Sequence, residues 1–375
     1  MKYYIIAGEP SGDLHGSNLI KELKKIDPDA IIRCWGGDLM EQAGATLVKH
    51  YKELAYMGFI EVIRNLPAII ENFKFCKQDI QSFQPDALIL IDYPGFNLRM
   101  AQWAKKQGYK VIYYISPQVW AWKENRVKII KQSVDKMLVI LPFEKEFYKK
   151  RNVDVEYVGH PLIEVIDAFK SKIHKKLDAN SPKDFKNLPV IALLPGSRKQ
   201  EILTKLPVML EVSQRLPGYQ FIVAEAPGQD QSFYQELLLN YPQVKSVRNN
   251  TYELLSTASA ACVTSGTATL ETALFRVPEV VCYKGNTISY QIAKRLIKVK
   301  YISLVNLIMD KKVVRELIQD ELIADNLFRA LNDLLNDPVQ RKLLEEDYDN
   351  LRMMLGKKGN ASANAAKSIV AFLRP

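Results

Sequence analysis

The stretch YYIIAGEPSGDLHG (residues 3–16) decides the fold. A short run of β-forming apolar residues, Tyr3 to Ala7, ends in a glycine-bearing loop that opens a helix. The same alternation recurs along the chain: apolar β-rich runs separated by segments of helical period, the pattern of a parallel sheet covered by helices. Further strands are expected near residues 31–35, 87–91, 110–115, 137–140 and 156–158, and a long helix over 61–83. Residues 175–187, rich in Lys, Asp, Ser and Pro without apolar period, make a linker. A second series follows at once, with strands near 190–194, 220–223, 246–247, 260–263 and 279–282, and a helical tail over 320–373. The fold class is therefore α/β, as two successive Rossmann-like halves without internal sequence repetition.

Length and composition agree. At roughly 100 to 200 residues per domain, 375 residues call for two domains. Hydrophobic residues at 47% and charged residues at 25% exclude long disorder. Cys34, Cys76, Cys262 and Cys282 are far apart, form no C-x-x-C pair and suit a reduced intracellular protein. Residues 1–7 run too quickly into a polar loop for a signal peptide, and no apolar run approaches the roughly 20 residues of a membrane span. A cytoplasmic protein able to lie on a membrane is expected. The net charge of +10 calls for an anionic partner, and acidic lipid, nucleic acid and phosphorylated small molecules all satisfy it.

The chemistry-bearing residues cluster where strands end. Gly8, Gly12 and Gly16 let backbone approach a ligand, and the helix start beside Ser11 favours anions. The G-x-x-x-G-x-x-x-G spacing differs from the dinucleotide fingerprint G-x-G-x-x-G, which argues against a dehydrogenase. Glu9 and Asp13 in that loop, with Asp92 closing the 87–91 strand, offer carboxylates converging on one cleft; helix capping by Asp13 and turn formation by Asp92 are the bland alternatives. His15 is a further candidate base. Trp120 and Trp122 offer aromatic faces for a sugar or acyl chain, or core packing. In the second half, Gly196, Ser197 and Arg198 follow a strand as a diphosphate clamp. Ser265, Gly266 and Thr267 repeat the device, with Glu271 one turn inside the helix for ribose hydroxyls. Residues 56–75, with Met57 and Phe59, are apolar enough to grip acyl chains, dip into a bilayer or form a core helix. Residues 284–300 hold a basic amphipathic helix, followed by Asn306, which holds a ligand or caps a turn. The triplets Asp27-Pro28-Asp29 and Asp347-Tyr348-Asp349 are weak metal-site candidates, and no metal or cofactor is expected.

The strings AGEPSGDLHG, IDYPGFN, YYISPQVWAW, LPFEKEFY, VGHP, LLPGSR, TSGTATLE and YISLVNL, in this order over nearly the whole chain, resemble the lipid-A-disaccharide synthases. The resemblance implies a GT-B fold: an acceptor domain over 1–170, a UDP-binding domain over 188–355 and a helix over 356–375, packed back on the first domain or on a dimer partner. It implies metal-independent transfer from UDP-2,3-diacylglucosamine to 2,3-diacylglucosamine 1-phosphate, forming a β-1,6 disaccharide and UDP. An inverting enzyme without cofactor follows, peripheral on the cytoplasmic face of the inner membrane, homodimeric and without a nucleic-acid partner.

The family's glycine-acid loop falls on Gly8, Glu9, Ser11, Gly12 and Asp13, its arginine on Arg198 and its late asparagine on Asn306. Some members carry an acid where this chain has Gly95 and an apolar residue where it has His15, which counts against a base at 95 and against His15 as a base common to the family. The catalytic set is thus Asp13, Asp92, Glu9, Arg198 and Asn306. The rivals are another GT-B enzyme, of the peptidoglycan N-acetylglucosaminyltransferase or UDP-N-acetylglucosamine 2-epimerase type, and a non-catalytic nucleotide-sugar sensor.

Overall fold

Strands that are apolar throughout can be buried on both faces only inside a parallel sheet covered by helices. Residues 3–7 and 87–91, and likewise 190–194, are buried in this way. The computed structural model describes residues 1–54, 66–121, 124–177, 188–285 and 299–374. They form two units, Met1–Pro161 with Leu355–Pro375, and Leu162–Met354.

The first unit carries β1 (Lys2–Ala7), α1 (Pro10–Ile26), β2 (Ile31–Gly36), α2 (Asp38–Gln42), β3 (Thr46–His50), α3 (Leu66–Phe83) and β4 (Ala87–Ile91). It continues with α4 (Pro94–Lys106), β5 (Lys110–Tyr114), α5 (Val127–Ser133), β6 (Lys136–Val139), α6 (Glu144–Lys149) and β7 (Glu156–Tyr157). Its sheet order is β3-β2-β1-β4-β5-β6-β7, with every pair parallel.

From α7 (Pro161–Leu177) the chain passes into the second unit, through β8 (Val190–Leu194), α8 (Lys199–Ser213), β9 (Gln220–Glu225), α9 (Gln231–Leu238) and β10 (Lys245–Arg248). It goes on through α10 (Thr251–Thr257), β11 (Ala258–Thr264), α11 (Thr267–Leu274), β12 (Glu279–Tyr283), α12 (Leu304–Met309), β13 (Arg315–Ile318), α13 (Ala324–Asn336) and α14 (Pro338–Gly356). The order β10-β9-β8-β11-β12-β13 is again all parallel. The last helix, α15 (Ala361–Leu373), returns to the first unit and packs on α1. It is tied there by Asn364 Nδ2 donating to Val158 O (3.0 Å) and Arg374 donating to Asp27 (3.1 Å).

Each sheet reverses its strand order once, between β1 and β4 and between β8 and β11. Open α/β sheets bind ligands in the crevice outside the carboxyl ends of such strands. Ala7 pairs with Ile91 and Leu194 with Val263, so the loops at residues 8 and 92, and those at 195 and 264, leave each sheet side by side.

Two strands depart from expectation. β3 and β13 were not foreseen, and both lie at sheet edges with half-exposed charged residues. Residues 61–65 of the expected long helix lie outside the described residues, as do Met57, Phe59, Trp122, most of the expected linker and most of the expected basic helix.

Candidate active site

In the first unit the structure brings Glu9 and Asp92 together. Glu9 caps α1 in extended conformation, with Pro10 pre-set for the first helical position. Asp92 and Tyr93 are consecutive left-handed residues (φ 43° and 48°), a backbone that costs about 1 to 3 kcal/mol each for side chains other than glycine. The turn is held by its neighbours. Buried Asn97 donates through Nδ2 to the carbonyls of Asp92 (2.8 Å), Ile91 (3.1 Å) and Ile6 (3.3 Å), and Tyr113 donates its hydroxyl to Asp92 O at 2.5 Å. Gly8 is needed because a Cβ there would overlap the Tyr93 ring. Burial, then the charge of Glu9, pushes the Asp92 carboxyl up to about 7. A carboxyl poised near neutrality in a strained, buttressed turn has the properties of a general base.

Asp13 is placed differently. Its Oδ1 accepts from the backbone N–H of Gly37 (2.8 Å) and Met40 (3.0 Å), and its Oδ2 from Leu39 (3.2 Å). It caps α2 rather than its own helix, and is 3% exposed. Asp13→Ala should leave these N–H groups without a partner and cost about 2 kcal/mol, the upper range for a lost cap. Calorimetry should show a lowered melting point; an unchanged one excludes the capping role.

Around this crevice lies an aromatic stack that sequence reasoning missed. Phe96 stacks on Phe73 (4.3 Å), Trp35 (5.3 Å) and Tyr93 (5.8 Å). Only Tyr93 and Phe96 of the IDYPGFN turn lie close in sequence; Phe73 and Trp35 reach the stack from distant elements, so no local pattern signalled it. Trp120 sits half-buried, edge-on to Phe143 (5.0 Å), above buried Glu144, whose carboxyl burial pushes up to about 7. Ser11 is exposed on the first turn of α1 and Gly12 packs on Ala7.

His15 is buried, and among the described residues its Nδ1 has no hydrogen-bond partner. Burial holds it down to about 4, and burial with the neighbouring His15 holds His160 down to about 3. Both are neutral in the fold, whereas a histidine of the unfolded chain protonates near pH 6.5. Between about pH 6.5 and 4 the unfolded chain therefore binds more protons, and stability is lost as pH falls. Asp92 has the opposite sign, so the test is a difference. In His15→Leu the melting point should fall less between pH 7 and 5 than in the parent; equal falls exclude His15.

In the second unit, Gly196 adopts φ +117°, and a Cβ there would lie 2.7 Å from Glu201 Oε2. Arg198 caps α8 through its backbone, and its side chain is 61% exposed beside Glu201 at 3.7 Å. Ser197 is exposed, and its carbonyl accepts from Gln229 at 3.2 Å. Gly266 (φ +150°) starts α11 with no side-chain cap, and Thr267 is exposed beside it. Ser265 is turned away, donating to Ile302 O at 2.8 Å. Two helices thus begin side by side without side-chain caps from the described residues, their first N–H groups lacking intrahelical acceptors, which suits them to anions. Glu271, half-buried on α11, is held by the Tyr252 hydroxyl at 2.7 Å, and burial raises its carboxyl against that hydrogen bond.

Asn306 is fully occupied by its own chain. Its Nδ2 donates to Val314 O and Glu316 (both 2.9 Å), and its Oδ1 accepts from Val313 (2.8 Å) and Val314 (2.9 Å). Glu316, unforeseen from the sequence, also accepts from the backbone N–H of Ile302 and Ser303 and from the Ser303 hydroxyl. This clamp fixes the loop that receives Ser265. Of the weak metal-site candidates, Asp27 meets the amino terminus and Tyr3, Asp347 meets Lys311, and Asp349 meets Arg276.

With this geometry in place, the comparisons decide the family. A family sequence model described as "Lipid-A-disaccharide synthetase" matches residues 3–371. The chain belongs to the lipid-A-disaccharide synthase family. A lipid-A-disaccharide synthase from Syntrophus aciditrophicus is 39% identical over 97% of this chain and 96% of its own. Another, from Geobacter metallireducens, is 40% identical over 95% and 93%. Among solved structures, UDP-GlcNAc 2-epimerase from Neisseria meningitidis superposes with TM-score 0.68 at 14% identity over 100% of both chains. The calicheamicin glycosyltransferase CalG4 gives 0.59 at 14% over 100% and 98%. These last two share the fold. As a lipid-A-disaccharide synthase, the enzyme is a glycosyltransferase of lipid A biosynthesis with GT-B architecture, whose substrates are a nucleotide-sugar and a lipid-sugar. Among the described residues, no helix is long and apolar enough to cross a membrane.

Proposed function

We propose that the donor is UDP-2,3-diacylglucosamine, the acceptor 2,3-diacylglucosamine 1-phosphate, and the reaction a single inverting displacement at the cytoplasmic face of the inner membrane. The carrying observation is the pair of uncapped helix starts at the β8/β11 reversal with the exposed Arg198 guanidinium beside them. The acceptor 6-hydroxyl attacks the anomeric carbon as the bond to the UDP oxygen breaks, through an oxocarbenium-like transition state. Asp92 takes the hydroxyl proton. Charge gathering on the departing diphosphate meets Arg198 and the N–H groups at the starts of α8 and α11, dipoles already oriented for it. Glu271 accepts from ribose hydroxyls.

Glu9 keeps Asp92 raised and thus basic near neutral pH. Asp13 and Asn306 are positioning residues, their polar atoms engaged within the fold. Ile70 (61% exposed) and Phe75 (42%) on α3 offer apolar surface to acyl chains or a bilayer. The test is to mix the purified enzyme with both lipid substrates and follow UDP together with the new anomeric centre by NMR. UDP released only when both are present, with a β linkage, supports the reading. An α linkage removes the single displacement, and consumption of UDP-N-acetylglucosamine without acceptor favours an epimerase.

A further inference from the structure

The first unit also holds a cavity whose lining includes neither Glu9 nor Asp92. It has a volume of about 590 Å³ and is lined by Lys136, Lys358 and Lys367, with Glu156, Tyr157 and Phe372. Tyr157 ends β7 and Lys358 packs beside Gly159 just beyond it, so the cavity runs along the β6–β7 edge of the sheet, with Lys136 at the amino end of β6. Lys110, the first residue of β5, adds a further cation near this end, 5.7 Å from the Phe372 ring.

We infer that this cavity binds a phosphate group carried on a larger molecule, between the Lys358 loop and the exposed face of α15. Three lysines face one carboxylate there. Glu156 is committed: it pairs with Lys136 at 2.8 Å and accepts from Ser368 at 2.6 Å. Burial raises its carboxyl, but the Lys136 and Ser368 hydrogen bonds outweigh that and hold it below the usual range. It thus stays anionic and neutralises Lys136, leaving the excess positive charge on Lys358 and Lys367. These two approach from different segments, the turn before α15 and α15 itself. The turn is built to hold its lysine, since Asn364 donates to the Lys358 carbonyl at 2.7 Å and caps the loop against the helix.

Two ammonium point charges on converging segments suit a phosphate, whose charge is not confined to one plane. The cavity is many times the volume of one water, and part of its wall is apolar, from Tyr157, Ala371 and Phe372, beside Asn364 and Ser368. An inorganic anion leaves that wall unused, whereas a phosphate bearing a glyceryl or acyl substituent covers it.

Two sources supply this chemistry, a lipid headgroup and a soluble phosphate ester, and the test separates them. The full-length enzyme and Lys358→Ala/Lys367→Ala are compared for sedimentation with phosphatidylcholine vesicles containing or lacking 30% phosphatidylglycerol, and by calorimetric titration with glycerol 3-phosphate and with inorganic phosphate. Circular dichroism melts confirm that α15 is intact. Vesicle binding that depends on phosphatidylglycerol and weakens about tenfold in the variant assigns the site to a lipid headgroup. Glycerol 3-phosphate binding tighter than inorganic phosphate and lost in the variant, without vesicle dependence, assigns it to a soluble ester. Binding of every probe equal in parent and variant, or absent from both, overturns the proposal. UDP-forming activity is measured alongside, and retained activity in the variant is expected because neither lysine belongs to the residues assigned to the reaction.

Discussion

Arg198→Ala should lower kcat by about 10² to 10³, the effect of removing one donor aimed at developing transition-state charge. The guanidinium is 61% exposed and lies 3.7 Å from Glu201, so its removal costs the fold little. The loss should therefore appear in turnover with the melting point unchanged. Arg198→Lys keeps the charge but not the planar fork, and should recover only part of the rate. Near-normal turnover in Arg198→Ala would remove the residue from the mechanism.

Asp92→Asn should lower kcat/KM by about 10² to 10⁴, the usual contribution of a positioned base. The asparagine keeps the size of the side chain and the turn's backbone contacts, so the loss isolates proton transfer. Burial and Glu9 raise this carboxyl to about 7. Below that pH it carries a proton and cannot accept another. The parent's kcat/KM should consequently rise with pH through about 7 and level off above it, and the limb should vanish from the residual activity of Asp92→Asn. Glu9→Gln should move the limb to lower pH, because it removes a neighbouring negative charge. A limb that survives in Asp92→Asn assigns the base elsewhere.

How much of this was legible in the sequence followed from where its causes lay. The central strands β4 and β8, and β1 after its exposed first residue Lys2, could be read directly because burial on both faces selects β-forming residues of low polarity throughout. β3 and β13 could not, because an edge strand exposes one side and accepts Lys49, His50, Arg315 and Glu316 among its few apolar residues. The rim residues Glu9, Asp92, Arg198 and Gly266 were found because strand ends can be located from pattern, and topology then places them at the order reversals. The duties of Asp13 and Asn306 were hidden for a different reason. Asp13 caps a helix that begins 25 residues further on, and Asn306 answers to a carboxylate on an edge strand that had itself gone unrecognised. A local motif signals that a polar side chain is unusual, but its partner across the fold determines whether it is free for chemistry.

The claim on which the account stands is that the second unit holds the nucleotide, with α8 and α11 beginning at its diphosphate. Amide hydrogen exchange of the whole enzyme with and without UDP tests this most directly. Exchange should slow across residues 196–201 and 265–271 on UDP addition, with residues 8–13 and 92–97 unchanged. Protection confined to residues 8–13 and 92–97 would contradict it.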